Sequence, residues 1–148
     1  MIPYYKGKKM VKTFISHNED ETIKIASSYA KEVSSGTVIA LYGTLGAGKS
    51  AFCRGFIQSI CKNVEDVPSP TFTLLQTYEA PTFEIYHFDM YRLKHPEEAY
   101  ELGIEDAFLD GVSLIEWPEK IGSLLPKNAI HITFTIQEDQ SRLITIEE

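Results

Sequence analysis

Arginine is scarce in this 148-residue chain, which holds only Arg54, Arg92 and Arg142. Small-molecule kinases generally clamp donor and acceptor phosphates with several arginines in a closing lid, so three is meagre for that chemistry. Cysteine is scarcer still. Cys53 and Cys61 are too few for a metal site by themselves, and a disulfide within one helix would be badly strained. Both are expected to be reduced and partly buried. No apolar run approaches the roughly 18 residues that a membrane-spanning helix needs, and no secretory signal is visible. A cytoplasmic protein without membrane attachment is therefore expected. Positive charge is also short, because 14 Lys and Arg face 21 Asp and Glu for a net charge of −7. Lys6, Lys8, Lys9 and Lys12 fall in an acid-free N-terminal stretch, so the remainder carries −11. Such an acidic body is a poor stand-alone binder of nucleic acid. Residues 1–9 are expected to be a flexible or non-native tail ahead of a natural start at Met10, rather than an interaction arm.

What the chain does have is a phosphate-loop motif. Residues 43–50 read GTLGAGKS, which satisfies G-x-x-x-x-G-K-[ST]. Gly43, Gly46 and Gly48 allow backbone conformations that a Cβ would obstruct, and the intervening Thr44, Leu45 and Ala47 complete a loop whose N–H groups turn inward around phosphate oxygens. Lys49 then supplies a positive charge near the β- and γ-phosphates, and the Ser50 hydroxyl is placed to ligate Mg²⁺. The flanks agree with the motif. Thr37 to Tyr42 is a β-branched apolar run ending at the first glycine, as a buried parallel strand reads. From Ala51 to Cys61, Phe52, Phe56, Ile57 and Ile60 recur with helical periodicity, which aims a helix N-terminus at the anion.

At this length and with 43% hydrophobic residues, one domain over residues 1–148 is expected. Residues 12–16 alternate like a strand. Residues 19–33 read as a helix with an acidic first turn, stopped by Gly36. Past the loop helix, Val67-Pro68-Ser69-Pro70 breaks regular structure. Strands are expected over 72–78 and 83–91, then a helical patch at 96–102 and a buried strand at 112–116. Residues 129–136 and 142–146 alternate around Glu138-Asp139-Gln140 as a terminal antiparallel hairpin. These elements predict an α/β domain with a mixed, partly antiparallel sheet and few helices in its second half.

A triphosphate site needs Mg²⁺ and a carboxylate to hold it or to orient water. Asp89 ends the mostly apolar strand Ile85-Tyr86-His87-Phe88, as a Walker B aspartate is presented, and Glu116 ends Val112-Ser113-Leu114-Ile115 in the same way. Ligands in open α/β sheets gather at the carboxyl ends of strands, so both acids can converge on the loop. The hydroxyl-rich Ser69-Pro70-Thr71-Phe72-Thr73 reads either as a switch-like loop sensing the γ-phosphate through Thr71 or Thr73, or as an ordinary loop entering a strand. His87 reads as a satisfied core histidine rather than a base. Trp117 reads as a core aromatic or as a lid.

With these segments in view, the chain resembles the TsaE (YjeE) family, the small ATPases of bacterial tRNA threonylcarbamoyladenosine synthesis. The markers are GTLGAGKS, SPTFTL at 69–74, HFDMYRL at 87–93, ELG at 101–103 and IEWPE at 115–119, in order across nearly the whole chain. The resemblance implies a three-layer P-loop NTPase-like fold with a mixed sheet, using ATP/ADP and Mg²⁺. It implies two partner proteins, TsaB and TsaD, and contact with tRNA only through that complex. In the family the partners build the N6-threonylcarbamoyl group on adenosine 37 of tRNAs reading ANN codons. TsaD makes the transfer, and the ATPase supports turnover of the assembly. The family's phosphate loop falls on Gly43 to Ser50 and continues into Ala51; its Walker B acid falls on Asp89. Its second metal-associated acid falls on Glu116, followed by the family tryptophan at Trp117. Glu21-Thr22 matches a family pair that approaches the nucleotide, as does the late arginine, here Arg142. Thr44 stands where an acid is common and Ser50 replaces the more usual threonine, a change that keeps a hydroxyl for Mg²⁺.

The leading expectation is hydrolysis of ATP by water, with Lys49, Asp89 and Glu116 as the catalytic set and Ser50, Glu116 and Asp89 around the metal. The alternatives are a small-molecule P-loop kinase and a nucleotide-controlled docking module in which hydrolysis is incidental.

Overall fold

The computed structural model describes residues 10–148; the tail reading of residues 1–9 lies outside them. Seven strands form one sheet in the order β1-β7-β6-β2-β5-β4-β3. They are β1 (Val11–Ser16), β2 (Val38–Tyr42), β3 (Leu75–Glu79), β4 (Glu84–Asp89), β5 (Val112–Glu116), β6 (Ile130–Ile136) and β7 (Arg142–Glu147). The four central strands β4, β5, β2 and β6 run parallel. Antiparallel pairs β3–β4 at one end and β6–β7–β1 at the other make the sheet mixed, as expected.

Period-two alternation sorts the side chains of the central strands onto two faces. On one face Ile39, Leu41, Leu114, Ile132 and Phe134 pack under α1 (Glu19–Ala30) and α2 (Lys49–Ile60). On the other, Val38, Phe88 and Ile115 pack with Met90, Leu93 and the short helices α3 (Glu98–Glu101) and α4 (Ile104–Asp110). Each face of the central sheet is therefore covered, which gives three layers. No helix among the described residues is long and apolar enough to cross a membrane.

Helix α1 starts where its chemistry demands. The Asn18 side chain accepts the Glu21 N–H at 2.9 Å, while the Glu21 carboxylate accepts the His17 N–H at 2.8 Å. This reciprocal cap satisfies two backbone donors, and Glu19, Asp20 and Glu21 favour the positive end of the helix dipole. The helix ends at Ala30 rather than continuing to residue 33. Helix α2 crosses α1 at Gly55, where an added Cβ would lie 2.9 Å from the Ile23 backbone. Gly55→Ala is expected to lower the thermal midpoint by several degrees. Overpacking against backbone costs about 1–3 kcal/mol, which outweighs the gain of about 1 kcal/mol in helix propensity. A thermal melt with an unchanged or raised midpoint would show that the helices do not meet as closely as this.

The second half holds few helices, as expected, but adds one beyond the helical patch at 96–102. Gly103 takes a left-handed conformation at φ +75° and starts α4, whose Ile104 and Ala107 are buried beneath the sheet. Residues 72–74 form a turn instead of a strand, with the Leu74 N–H donating to the Pro70 carbonyl at 2.6 Å and Leu74 itself at φ +68°.

Candidate functional site

The phosphate loop spans the gap between the end of β2 and the start of α2. Its first glycine is required by crowding, since a Cβ at Gly43 would stand 3.0 Å from the Phe134 carbonyl oxygen and 3.2 Å from the Ala47 Cβ. Its last, Gly48, begins α2 at φ +116° and offers no capping side chain, so the first amides of the helix are left for an anion. Inside the loop the Ala47 N–H donates to the Thr44 carbonyl at 3.1 Å. Lys49 is nearly buried. Its ammonium donates to the Gly43 carbonyl at 2.6 Å and stands 3.6 Å from the centre of the Trp117 ring. Burial pushes its pKa down, while Glu116, Glu119 and Asp89 pull it up. A cation held between a carbonyl and an aromatic face is poised for a negatively charged oxygen.

The two acids meet because β4 and β5 are parallel neighbours with Asp89 directly opposite Glu116. Both are almost completely buried, at the carboxyl ends of their strands. The Ser50 hydroxyl donates to Glu116 Oε1 at 3.4 Å, a long bond that links the first turn of α2 to the acid. Asp89 Oδ2 accepts from the Thr71 hydroxyl at 3.1 Å, and Oδ1 accepts the Tyr91 N–H at 3.0 Å. A hydroxyl and two carboxylates form an all-oxygen donor set, which suits a hard cation such as Mg²⁺. Behind them, His87 Nε2 and Glu116 Oε2 share a hydrogen bond of 2.7 Å, and both residues are buried. The Cys53 sulfur completes a group whose ligand atoms lie within 4.8 Å of one another. Burial raises the Cys53 thiol well above its ordinary pKa, and Glu116 and Asp89 push it further, so it stays protonated and serves as packing.

Trp117 follows Glu116 in a left-handed conformation at φ +58°. That geometry is costly for a bulky residue and marks a place where the surroundings dictate the backbone. Its ring forms a wall of the cleft, with Lys49 on its face and the Tyr91 ring 4.8 Å away. It is half-buried, packed against the core on the Phe88 side of the sheet while also lining the cleft.

Two clefts meet at the loop. The larger, of about 410 Å³, is lined by Leu45, Gly46, Gly48, Lys49, Ser50, Ala51, Thr71, Asp89, Glu116 and Trp117 among others. The smaller, of about 210 Å³, runs past Thr22, Gly46, Gly48, Ala51 and Arg142. There Arg142 donates to the Gly46 carbonyl at 3.3 Å, and Thr22 shares a 2.7 Å hydrogen bond with Ser16. Most sequence-derived candidates are thus brought together. Gly43 and Ala47 instead brace the loop from below, and Thr44 lines neither cleft. Of the two switch-loop threonines, only Thr71 reaches the cleft, whereas exposed Thr73 accepts from Gln76 at 3.1 Å. Sequence reading missed Glu19 and Arg54, which pair with each other at the rim of the larger cleft. A signal was present, since Arg54 lies one helical turn beyond Ser50 and must share its face.

Comparison with known proteins gives the family and the fold. The family model described as "Threonylcarbamoyl adenosine biosynthesis protein TsaE" matches residues 16–144. Similar proteins bear the name tRNA threonylcarbamoyladenosine biosynthesis protein TsaE. The one from Rickettsia bellii is 45% identical over 132 residues, covering 89% of this chain and 92% of that protein. The one from Bacillus subtilis is 36% identical over 129 residues, covering 86% and 80%. The crystal structure of Bacillus subtilis YdiB superposes with a TM-score of 0.80 at 30% identity, over 95% of this chain and 86% of that one. The fold is P-loop NTPase-like, and the chain belongs to the TsaE family of tRNA threonylcarbamoyladenosine biosynthesis proteins.

Proposed function

We propose that this chain is a Mg²⁺-dependent ATPase that acts with TsaB and TsaD in forming N6-threonylcarbamoyladenosine at position 37 of tRNA, in the cytoplasm. The observation that carries the reading is the placement of Lys49, Ser50, Asp89 and Glu116 around one cleft beneath a phosphate loop. Loop amides and Lys49 bind the β- and γ-phosphates and stabilise the charge that develops on the transferred group. Ser50 and Glu116 would hold magnesium, with Asp89 beside them to orient the metal or the attacking water. When bound, the metal neutralises charge on the phosphate oxygens. Attack of water at the γ-phosphorus breaks the bond to the bridging oxygen, leaving ADP and inorganic phosphate. The second cleft, with Thr22 and Arg142, takes the nucleoside end. Thr71, bonded to Asp89, couples the 69–74 turn to the γ-phosphate.

A docking role accompanies hydrolysis. Leu45 lines the cleft, Phe72 follows the cleft residue Thr71 and Tyr91 packs on Trp117, and the three are exposed over 74%, 83% and 47% of their surface. Apolar groups there would be covered by a partner protein whose contact depends on the bound nucleotide. The acidic body suits a basic partner surface rather than tRNA itself.

The test is steady-state ATP hydrolysis by the chain alone and mixed with the TsaB and TsaD proteins of its own organism. Slow turnover that rises with partners is expected. Binding with no partner-dependent rate would favour the docking module, and ATP-dependent phosphorylation of a nucleoside or sugar would favour a kinase.

A further inference from the structure

We propose that His87 is a positioning residue for Glu116. Its Nε2–H occupies carboxylate oxygen Oε2, so that Glu116 presents the single oxygen Oε1 to Ser50 and the cleft. The inference rests on Glu116 being the magnesium-associated acid described above.

The strand register explains how the two meet. His87 lies opposite Leu114 and Glu116 opposite Asp89, so His87 and Glu116 are diagonal neighbours on the α2 side of the sheet. Long side chains reach across that diagonal. The resulting contact is short, at 2.7 Å, and both residues are closed off from solvent. A buried carboxylate without donors is costly, so Glu116 needs partners even before a cation arrives.

The choice of histidine matters. His87 Nδ1 is buried and has no hydrogen-bond partner among the described residues. An N–H there would be an unsatisfied buried donor, whereas a bare lone pair is cheaper to leave alone. The bonding pattern therefore places a proton on Nε2, facing the carboxylate. Such a donor fixes one oxygen of Glu116 from behind. Lysine or arginine in this place would neutralise Glu116 and compete with magnesium for it. With Oε2 held, Glu116 cannot rotate both oxygens onto the metal, and Oε1 stays beside the Ser50 hydroxyl, 3.4 Å away. Partners of this kind behind a metal ligand are typically worth about 10–100-fold in metal affinity or activity.

Two variants of the full chain test this. His87→Leu keeps apolar bulk but removes the donor, and His87→Gln carries an amide N–H to about the place of Nε2. For His87→Leu we expect kcat to fall about 10–100-fold, and the magnesium concentration for half-maximal rate to rise about tenfold, with KM for ATP changed less than about threefold. His87→Gln should restore both to within about threefold of the parent. In the nucleotide-free parent, imidazole ¹⁵N NMR should show the Nε2–H form. The proposal is overturned if His87→Gln is as impaired as His87→Leu, if both keep the parent's magnesium dependence, or if the proton is on Nδ1. Should His87→Leu fail to fold, His87→Asn takes its place, since its amide stops short of Oε2. A parent chain that neither binds nor hydrolyses magnesium ATP overturns the ATPase reading and this one together. A hydrolysing parent with magnesium-insensitive variants overturns this one alone.

Discussion

Lys49→Ala is expected to lower ATP turnover by about 10³-fold or more, leaving a chain that still folds. A single donor aimed at developing charge is commonly worth about 10²–10³ in kcat, and under the proposed function Lys49 also binds the phosphates of the ground state. Its ammonium is desolvated between the Gly43 carbonyl and the Trp117 ring, without an ion pair among the described residues. In such surroundings its charge acts on a phosphate with little screening by water. The same geometry says that the fold does not depend on it. The neighbours left behind are a carbonyl and an aromatic face that borders a cleft and can be wetted. The checks are single-turnover hydrolysis and a thermal melt. Turnover within tenfold of the parent would remove Lys49 from the phosphate site, and a collapsed melt would make it a structural residue.

Replacing Glu116 should separate rate from affinity. Glu116→Ala is expected to cost about 10²-fold or more in hydrolysis while nucleotide affinity changes only severalfold, because the proposed function assigns most ground-state phosphate contacts to the loop and Lys49. The alanine variant has a second effect. It leaves His87 Nε2–H as a buried donor without its acceptor, at about 1–3 kcal/mol in stability. Glu116→Gln keeps an oxygen for His87 and removes only the charge, so it should melt near the parent yet remain almost as slow as Glu116→Ala. Hydrolysis rates, equilibrium binding of ADP and thermal midpoints distinguish the two. Near-normal hydrolysis by Glu116→Gln would take the carboxylate out of the metal site.

Much of the architecture was legible locally. The strand–loop–helix unit around residues 43–50 needs only β-branched residues, glycines and helical spacing, all of which lie within two dozen consecutive positions. The acidic first turn of α1, the β6–β7 hairpin and the burial of β2 and β5 are likewise short-range. Errors fell where local preference was weak or was overruled. Residues 72–74 have strand-like side chains, but the Pro70 carbonyl captures the Leu74 N–H and bends them into a turn. The seven-residue helix α4 follows a glycine, which reads as an end when it is a beginning. His87 was expected to be a satisfied core residue, and it is buried but bonded to Glu116 through one nitrogen with the other left over. No spacing rule links residues so far apart in sequence.

A phosphate loop between a buried strand and an amphipathic helix, and acids ending two apolar strands, follow from residue order, because hydrophobic period and glycine placement act through neighbours along the chain. That Asp89 and Glu116 are opposite one another, that His87 reaches the second acid, and that Thr71 rather than Thr73 meets the first come from the folded sheet. Those facts depend on strand order, register and turn geometry. These are settled by how the whole sheet packs against its helices, and a side chain's partner is fixed only once that packing is complete.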